Sequence, residues 1–263
     1  MKLNYNPIGF FDSGIGGTSI WKEVTALLPN ENTVYLSDSK NAPYGEKHAD
    51  EIIALAIKNT ELLLENNCKL IVVACNTATT NAITYLRKTY DVPFIGIEPA
   101  IKPAALKTKS KKIGILATKG TLNSALFEKT SSTIDQQIII KETVGTGLVP
   151  LIEAGKIDSR EMQALLTSYI KPLLNEHIDC LVLGCTHYPY LIPSIQKITD
   201  NQIEIIDSGL AVAKQTKAIL VQHQIINDRN TEAHHQFFIN TKKTVLENIL
   251  KNTVGIQITE KDF

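Results

Sequence analysis

The sequence predicts an α/β fold of two pseudo-symmetric lobes, each a mostly parallel sheet flanked by helices. Three observations carry this prediction. Short apolar runs alternate with longer stretches of helical period along the 263 residues, the pattern of parallel sheets covered by helices. Runs such as Leu70-Ile71-Val72-Val73-Ala74 are apolar at every position, as strands covered on both faces should be. The two halves of the chain also resemble one another.

In chain order the predicted strands are Pro7–Asp12, Thr33–Asp38, Leu70–Cys75, Pro93–Ile97, Lys112–Ala117, Gln137–Lys141, Cys180–Cys185 and Glu204–Asp207. Amphipathic stretches between them, among them Glu51–Glu65, Arg160–His177 and Gly209–Gln222, supply the covering helices. Gln224–His235 is polar and reads as a loop, followed by a strand-like Phe237–Asn240 and a final helix near Thr244–Lys251.

The internal repeat rests on three pairs of segments. Ile8-Gly9-Phe10-Phe11-Asp12-Ser13 resembles Ile113-Gly114-Ile115-Leu116-Ala117-Thr118, 105 residues on. Lys69 to Thr77 resembles Asp179 to Thr186 at an offset of 110, and Ile97-Glu98-Pro99 resembles Ile206-Asp207-Ser208 at 109. Buried parallel strands look alike, so the first pair alone means little; three at nearly constant offset point to two related lobes. No Gly- or Ser-rich linker separates them, and Glu98–Lys112, rich in Pro and Lys, is where the chain is expected to cross.

Composition narrows the function. Hydrophobic residues make up 43% and charged residues 21%, and 27 basic side chains balance 27 acidic ones. No global field draws such a chain to nucleic acid or an anionic membrane. No apolar run reaches the ~18 residues of a membrane span. Met1 to Pro7 is polar, unlike a secretory leader, so a cytoplasmic location is the default. The four cysteines, Cys68, Cys75, Cys180 and Cys185, match no common zinc or disulfide-exchange spacing.

Cys75 and Cys185 sit where an apolar run stops, at the carboxyl ends of strands, where open α/β sheets bind ligands. Each is followed by residues able to cap a helix, Asn76-Thr77 and Thr186, and Pro189 suits a first helical turn. A thiol at a helix N-terminus is expected to have a lowered pKa. A lone buried cysteine is more often packing than chemistry. Two at corresponding places in two halves reverse that balance. Cys68 and Cys180 precede their strands and read as packing.

Asp12 opens Asp12-Ser13-Gly14-Ile15-Gly16-Gly17, whose glycines could let a helix N-terminus hold an anion; an Asx cap explains Asp12 equally well. The segment is neither a dinucleotide fingerprint nor a P-loop. His187, two residues beyond Cys185, could tune the thiol, bind a substrate carboxylate, or be a hydrogen-bonded structural histidine. Ser37 to Gly45 is a polar loop suited to a small ligand or merely a turn. Glu153, alone, reads as a solvated acid near a helix end.

Together, Asp12 to Gly17, Pro43-Tyr44-Gly45, Ala74-Cys75-Asn76-Thr77-Ala78, Leu148 to Glu153 and Gly184-Cys185-Thr186-His187-Tyr188-Pro189 resemble, in order and over essentially the whole chain, the bacterial glutamate racemases. Glu98-Pro99-Ala100 and Phe237-Phe238 extend the likeness; Thr18-Ser19 departs from the more apolar residue common there. The resemblance implies a first lobe of residues 1–98 plus 209–263 and a second of 99–208. It implies Cys75 and Cys185 as acid/base residues assisted by Asp12, Glu153 and His187. Substrate contacts would come from Asp12, Ser13, Pro43, Tyr44, Gly45, Asn76, Thr77, Thr118, Thr186 and His187. It further implies a homodimer acting on glutamate without cofactor or metal, supplying D-glutamate for peptidoglycan, with Cys185 deprotonating the L and Cys75 the D enantiomer.

Two groups on opposite faces of the α-carbon suit racemisation, one as thiolate base and one as thiol acid. The rivals are a racemase of aspartate or another acidic amino acid, a thiol redox or metal-binding protein, and a non-catalytic ligand-binding protein.

Overall fold

The computed structural model describes residues 3–229 and 232–263. Parts of the expected polar N-terminus and of the Gln224–His235 loop, namely Met1, Lys2, Asn230 and Thr231, lie outside the described residues. The strands are β1 (Ile8–Asp12), β2 (Thr33–Ser37), β3 (Leu70–Val73), β4 (Phe94–Gly96) and β5 (Lys112–Ala117). They continue with β6 (Ile139–Val144), β7 (Cys180–Gly184), β8 (Glu204–Ile206), β9 (His235–Ile239) and β10 (Ile256–Glu260).

They form two sheets, ordered β10-β9-β2-β1-β3-β4 and β6-β5-β7-β8, and every pairing is parallel. The order β2-β1-β3-β4 in the first sheet is the order β6-β5-β7-β8 in the second. The segments matched by the internal repeat are therefore topological equivalents: β1 with β5, β3 with β7, and the ends of β4 and β8. The first sheet differs by gaining β9 and β10 beyond β2.

The eight predicted strands before residue 208 are all present, Lys112–Ala117 with the expected bounds and the others with ends displaced by at most three residues. The central ones were legible because both faces are covered, whereas the edge strands β6 and β8 are partly exposed. Along β1, Ile8 and Phe10 face one core with Tyr35, Val72, Phe237 and Trp21. Phe11 faces the other, with Leu36, Ile71 and Val73, under the helices Ala49–Glu65 and Asn76–Thr89. Phe10 and Phe11 are both wholly buried, and each such side chain contributes about 1.5–3 kcal/mol. Gly9 lies against Cys68 Sγ, which an added Cβ would approach to 3.0 Å. Cys68 and Cys180 are buried free thiols, pushed up by burial to about 12 and about 11 respectively.

The first core cluster runs from β1, β2 and β3 through Leu148, Ile152, Leu183 and Tyr188, so the two sheets share apolar packing. The chain passes from one sheet to the other between β4 and β5, and returns after β8 into the helix Gly209–Gln222. At these crossings the Ser208 hydroxyl donates to the Glu98 carbonyl at 2.5 Å. Among the described residues no helix is long and apolar enough to cross a membrane.

Candidate active site

The strand order reverses on either side of β1 and of β5, and the crevice at such a point is where open α/β sheets bind ligands. Asp12 ends β1 and Cys75 follows β3, beside it, with Phe11 paired to Val73. The second sheet repeats the arrangement: Thr118 follows β5, Cys185 follows β7, and Ala117 pairs with Gly184. The two carboxyl ends face one another.

Between them lies one cavity lined by Ser13, Pro43, Tyr44, Gly45, Cys75, Asn76, Thr77, Thr118, Cys185, Thr186 and His187, with Val149 added. Both sulfurs thus border the same space. Its volume of about 10 Å³ accommodates roughly one water molecule, so the cavity is closed to anything larger in this conformation. Asp12 and Glu153 stand behind the lining. Val149 gave no signal in the sequence because an apolar wall residue looks like any core valine.

Cys75 is the N-cap of the helix Asn76–Thr89, its sulfur accepting from the Ala78 N–H at 3.4 Å and approaching the Ser13 hydroxyl at 3.8 Å. The expected lowering of its pKa does not occur. Burial pushes the thiol well above its ordinary range and the Asp12 charge adds to the push, outweighing the Ala78 N–H. Cys75 therefore rests as a neutral thiol. Asn76 has both amide atoms buried without a hydrogen-bond partner. Thr77 meets Thr118 of the opposite lobe, oxygen to oxygen at 2.8 Å. Tyr44 is fixed by its hydroxyl, which donates to buried Asp38 at 2.5 Å, and the Ala42–Pro43 peptide is cis.

Cys185 is not followed directly by an α-helix. Tyr188–Leu191 forms a 3-10 turn, and the α-helix Ile192–Ile198 begins after it, so Pro189 sits in the first half of that turn instead, as its second residue. His187 Nδ1 faces the Cys185 sulfur at 3.8 Å, and its Nε2 lies 2.5 Å from Glu153 Oε1. Burial opposes a charge on the imidazole. Hydrogen bonds to Cys185 and Glu153, with the negative charges of Asp12 and Glu153, win and hold His187 well above the usual histidine range. Glu153 ends the helix Leu148–Glu153 and is mostly buried, unlike the solvated acid its sequence context suggests.

Asp12 takes the cap role and more. Its Oδ2 accepts from the Gly14 and Gly17 N–H groups at 3.2 and 2.9 Å, while Thr186 donates to Oδ1 at 3.3 Å. Burial raises its pKa; His187 and the Gly17 N–H pull the other way. The glycines of this turn serve close approach, and the anion held there belongs to the protein. The Ile15 N–H donates to Glu153 Oε1 at 2.7 Å. A Cβ at Gly14 would lie 2.0 Å from that oxygen, and one at Gly16 would lie 2.1 Å from His187 Nδ1.

Among the described residues no group of three or more His, Cys, Asp and Glu side chains is arranged to hold a metal ion. What the arrangement offers is a pair of opposed thiols, one backed by a carboxylate and one by a charged imidazole, with hydroxyl, amide and backbone donors between.

The family model for Asp/Glu/Hydantoin racemase matches residues 18–216. The chain belongs to this racemase family. A glutamate racemase of Cupriavidus pinatubonensis is 46% identical over 224 residues, which span 85% of this chain and 82% of that one. The crystal structure of a Bacillus anthracis glutamate racemase matches with a TM-score of 0.87 at 31% identity, covering 99% of this chain and 98% of that one. An Escherichia coli glutamate racemase, solved in complex with L-glutamate and an activator, matches with a TM-score of 0.84 at 31% identity over 97% of this chain and 98% of that one. The family's two-lobed architecture is the one described above.

Proposed function

We propose that the protein interconverts L- and D-glutamate by passing the α-proton between two thiols, Cys75 and Cys185, with no added cofactor. The observation that carries this reading is the single cavity bordered by both sulfurs, each from the equivalent position of a different sheet. The named glutamate racemases among its relatives, one holding L-glutamate, favour glutamate over aspartate.

In the L to D direction, the Cys185 thiolate takes the α-proton and becomes a thiol. The electron pair left on the α-carbon is delocalised into the carboxylate. Cys75, resting as a thiol, then delivers its proton to the opposite face and becomes the thiolate. The reverse reaction exchanges the roles, and proton exchange with solvent resets the pair between turnovers. The charged His187 beside Cys185 supplies the positive charge against which a thiolate forms there. Ser13, Thr77, Thr186 and the unpartnered Asn76 amide are placed to hold the substrate and its developing negative charge. Closure of the lobes excludes water from that charge.

We take residues 1–98 with 209–263 as one moving body and 99–208 as the other, the crossings lying where Ser208 meets Glu98. We further infer a cytoplasmic homodimer supplying D-glutamate for peptidoglycan.

The test follows the circular dichroism of L-glutamate over time without added cofactor. Wild type should drive the signal to zero, and Cys75→Ala and Cys185→Ala should each lose at least a thousandfold in rate. L-Aspartate run alongside decides the substrate. Racemisation by either single variant at the wild-type rate would sink the two-thiol reading.

A further inference from the structure

The polar loop after β2 contributes to the site in a way its cavity-lining residues do not reveal. Only Pro43, Tyr44 and Gly45 of that loop border the cavity. Ser39, at the start of the 3-10 turn Ser39–Asn41, points elsewhere: its hydroxyl donates to Glu153 Oε2 at 2.8 Å, across the gap between lobes.

Glu153 needs such a donor. It is the last residue of the helix Leu148–Glu153, at the end where the helix presents carbonyls and a partial negative charge. Its own helix therefore offers its carboxylate nothing. Apart from His187, the two donors it receives both come from the first sheet's loops: the Ile15 N–H to Oε1 and the Ser39 hydroxyl to Oε2. Ser39 is itself braced by Ser37, with the two hydroxyl oxygens 3.1 Å apart. The result is a chain of contacts from Ser37 through Ser39, Glu153 and His187 to the Cys185 sulfur.

We infer that Ser39 is a positioning residue for the Cys185 half of the site, holding Glu153 so that His187 stays aimed at the sulfur. The hold spans the lobes, so it forms only on closure: parting the lobes withdraws Ser39 and Ile15 together and leaves the carboxylate to water. Cys185 is thereby assembled as an acid/base group at the moment the cavity closes over substrate. Cys75 depends less on closure: the groups that contact its sulfur, Ser13 and the Ala78 N–H, come from its own lobe, and only Asp12 behind it takes a donor across the gap, the Thr186 hydroxyl at 3.3 Å.

This inference rests on the two-thiol racemisation proposed above, and the test separates the two. Enantiomers have an equilibrium constant of one, so any variant must lose kcat/KM equally in both directions. The discriminating quantity is the isotope effect on kcat/KM with α-deuterated substrate. Ser39→Ala should lower kcat/KM by about ten- to a hundredfold, the range for a hydrogen bond to a charged group. Slowing only the Cys185 transfer should raise the isotope effect with L-glutamate, whose deuterium goes to Cys185. The effect should fall with D-glutamate, whose deuterium goes first to Cys75. Ser39→Thr, which keeps the hydroxyl, should restore both rate and isotope effects.

Isotope effects that shift together in the two directions would mean a general loss of structure and overturn the inference. So would a wild-type rate in Ser39→Ala, an opposite asymmetry, or failure of the threonine to restore. Absence of racemisation in the wild type would instead remove the proposed function itself.

Discussion

Glu153 and His187 share a hydrogen bond of 2.5 Å between Oε1 and Nε2, and the imidazole's other nitrogen is turned to the Cys185 sulfur. The Gly16 N–H also points at Nε2, at 3.2 Å. One nitrogen cannot both donate to the carboxylate and accept from the backbone. With His187 charged, the bond to Glu153 is made and the Gly16 contact is not. The pairing with the carboxylate thus fixes the charged form, consistent with the raised proton affinity of the ring.

Replacing Glu153 by Gln keeps the shape and removes the charge. Rate should fall about ten- to a hundredfold, as for loss of a charge-assisted hydrogen bond. Stability should also change its pH dependence. The folded state binds the His187 proton more tightly than the unfolded chain, so that contribution is complete below the unfolded value, about pH 6.5. It is lost as pH rises through the raised folded value. Thermal melts of wild type should therefore decline from neutral to alkaline pH more steeply than those of Glu153→Gln. Parallel curves would detach the carboxylate from the imidazole's charge.

Gly16→Ala tests whether the glycine turn exists for closure. The added methyl would sit 2.1 Å from His187 Nδ1, and the ring is buried between Glu153 and Cys185. Gly16 is not among the glycines with positive φ, so alanine suits the backbone of the free first lobe. Racemisation should drop more than a hundredfold, with about 1–3 kcal/mol of overpacking cost. Adding His187→Ala removes the clash. The double variant should melt above Gly16→Ala while remaining inactive.

How much of this was readable beforehand depended on sequence distance. The strands of the two sheets announced themselves because residues such as Leu70 to Val73 are covered on both sides. The strand β10 did not: it is an edge strand of half-exposed, alternating residues, whose pattern resembles a surface tail. Cys75, Cys185 and their neighbours were legible through position at strand ends. The contacts of Glu153 with Ile15 and Ser39 were not, since they join residues 138 and 114 positions apart. The Cys75 thiol reversed its expectation because a helix N-terminus was weighed without burial, and burial is the larger effect.

A second buried charge pair should affect stability alone. Lys69 and Glu31 meet at 2.6 Å with side chains almost wholly buried. Lys69 also donates to the Asn4 carbonyl, and Glu31 accepts from the Asn227 N–H. Lys69 directly precedes β3, at the end opposite the cavity, so the pair ties together chain segments remote from the chemistry. Lys69→Met strands the Glu31 charge and should destabilise by about 3–5 kcal/mol. Pairing it with Glu31→Leu should recover most of that. Urea melts and the circular dichroism assay should show stability moving while kcat at 25 °C stays; a parallel loss of kcat would tie this end of the sheet to the site.

Asn76 is the reverse case, a residue whose cost is structural and whose return is functional. Its amide nitrogen and oxygen are buried and unpartnered, a penalty of about 1–3 kcal/mol for each unsatisfied group. Asn76 is also the first residue of its helix, where alanine is tolerated without loss of an internal bond. Asn76→Ala should therefore leave the free protein as stable as wild type or more so, despite the small void. If the amide is kept for substrate, the same change should raise KM for both enantiomers by about tenfold or more, because a ligand group then meets methyl in place of a donor and acceptor. A destabilised Asn76→Ala with unchanged KM would show that the amide serves packing, and that the carboxylate of the substrate is held by other groups in the cavity.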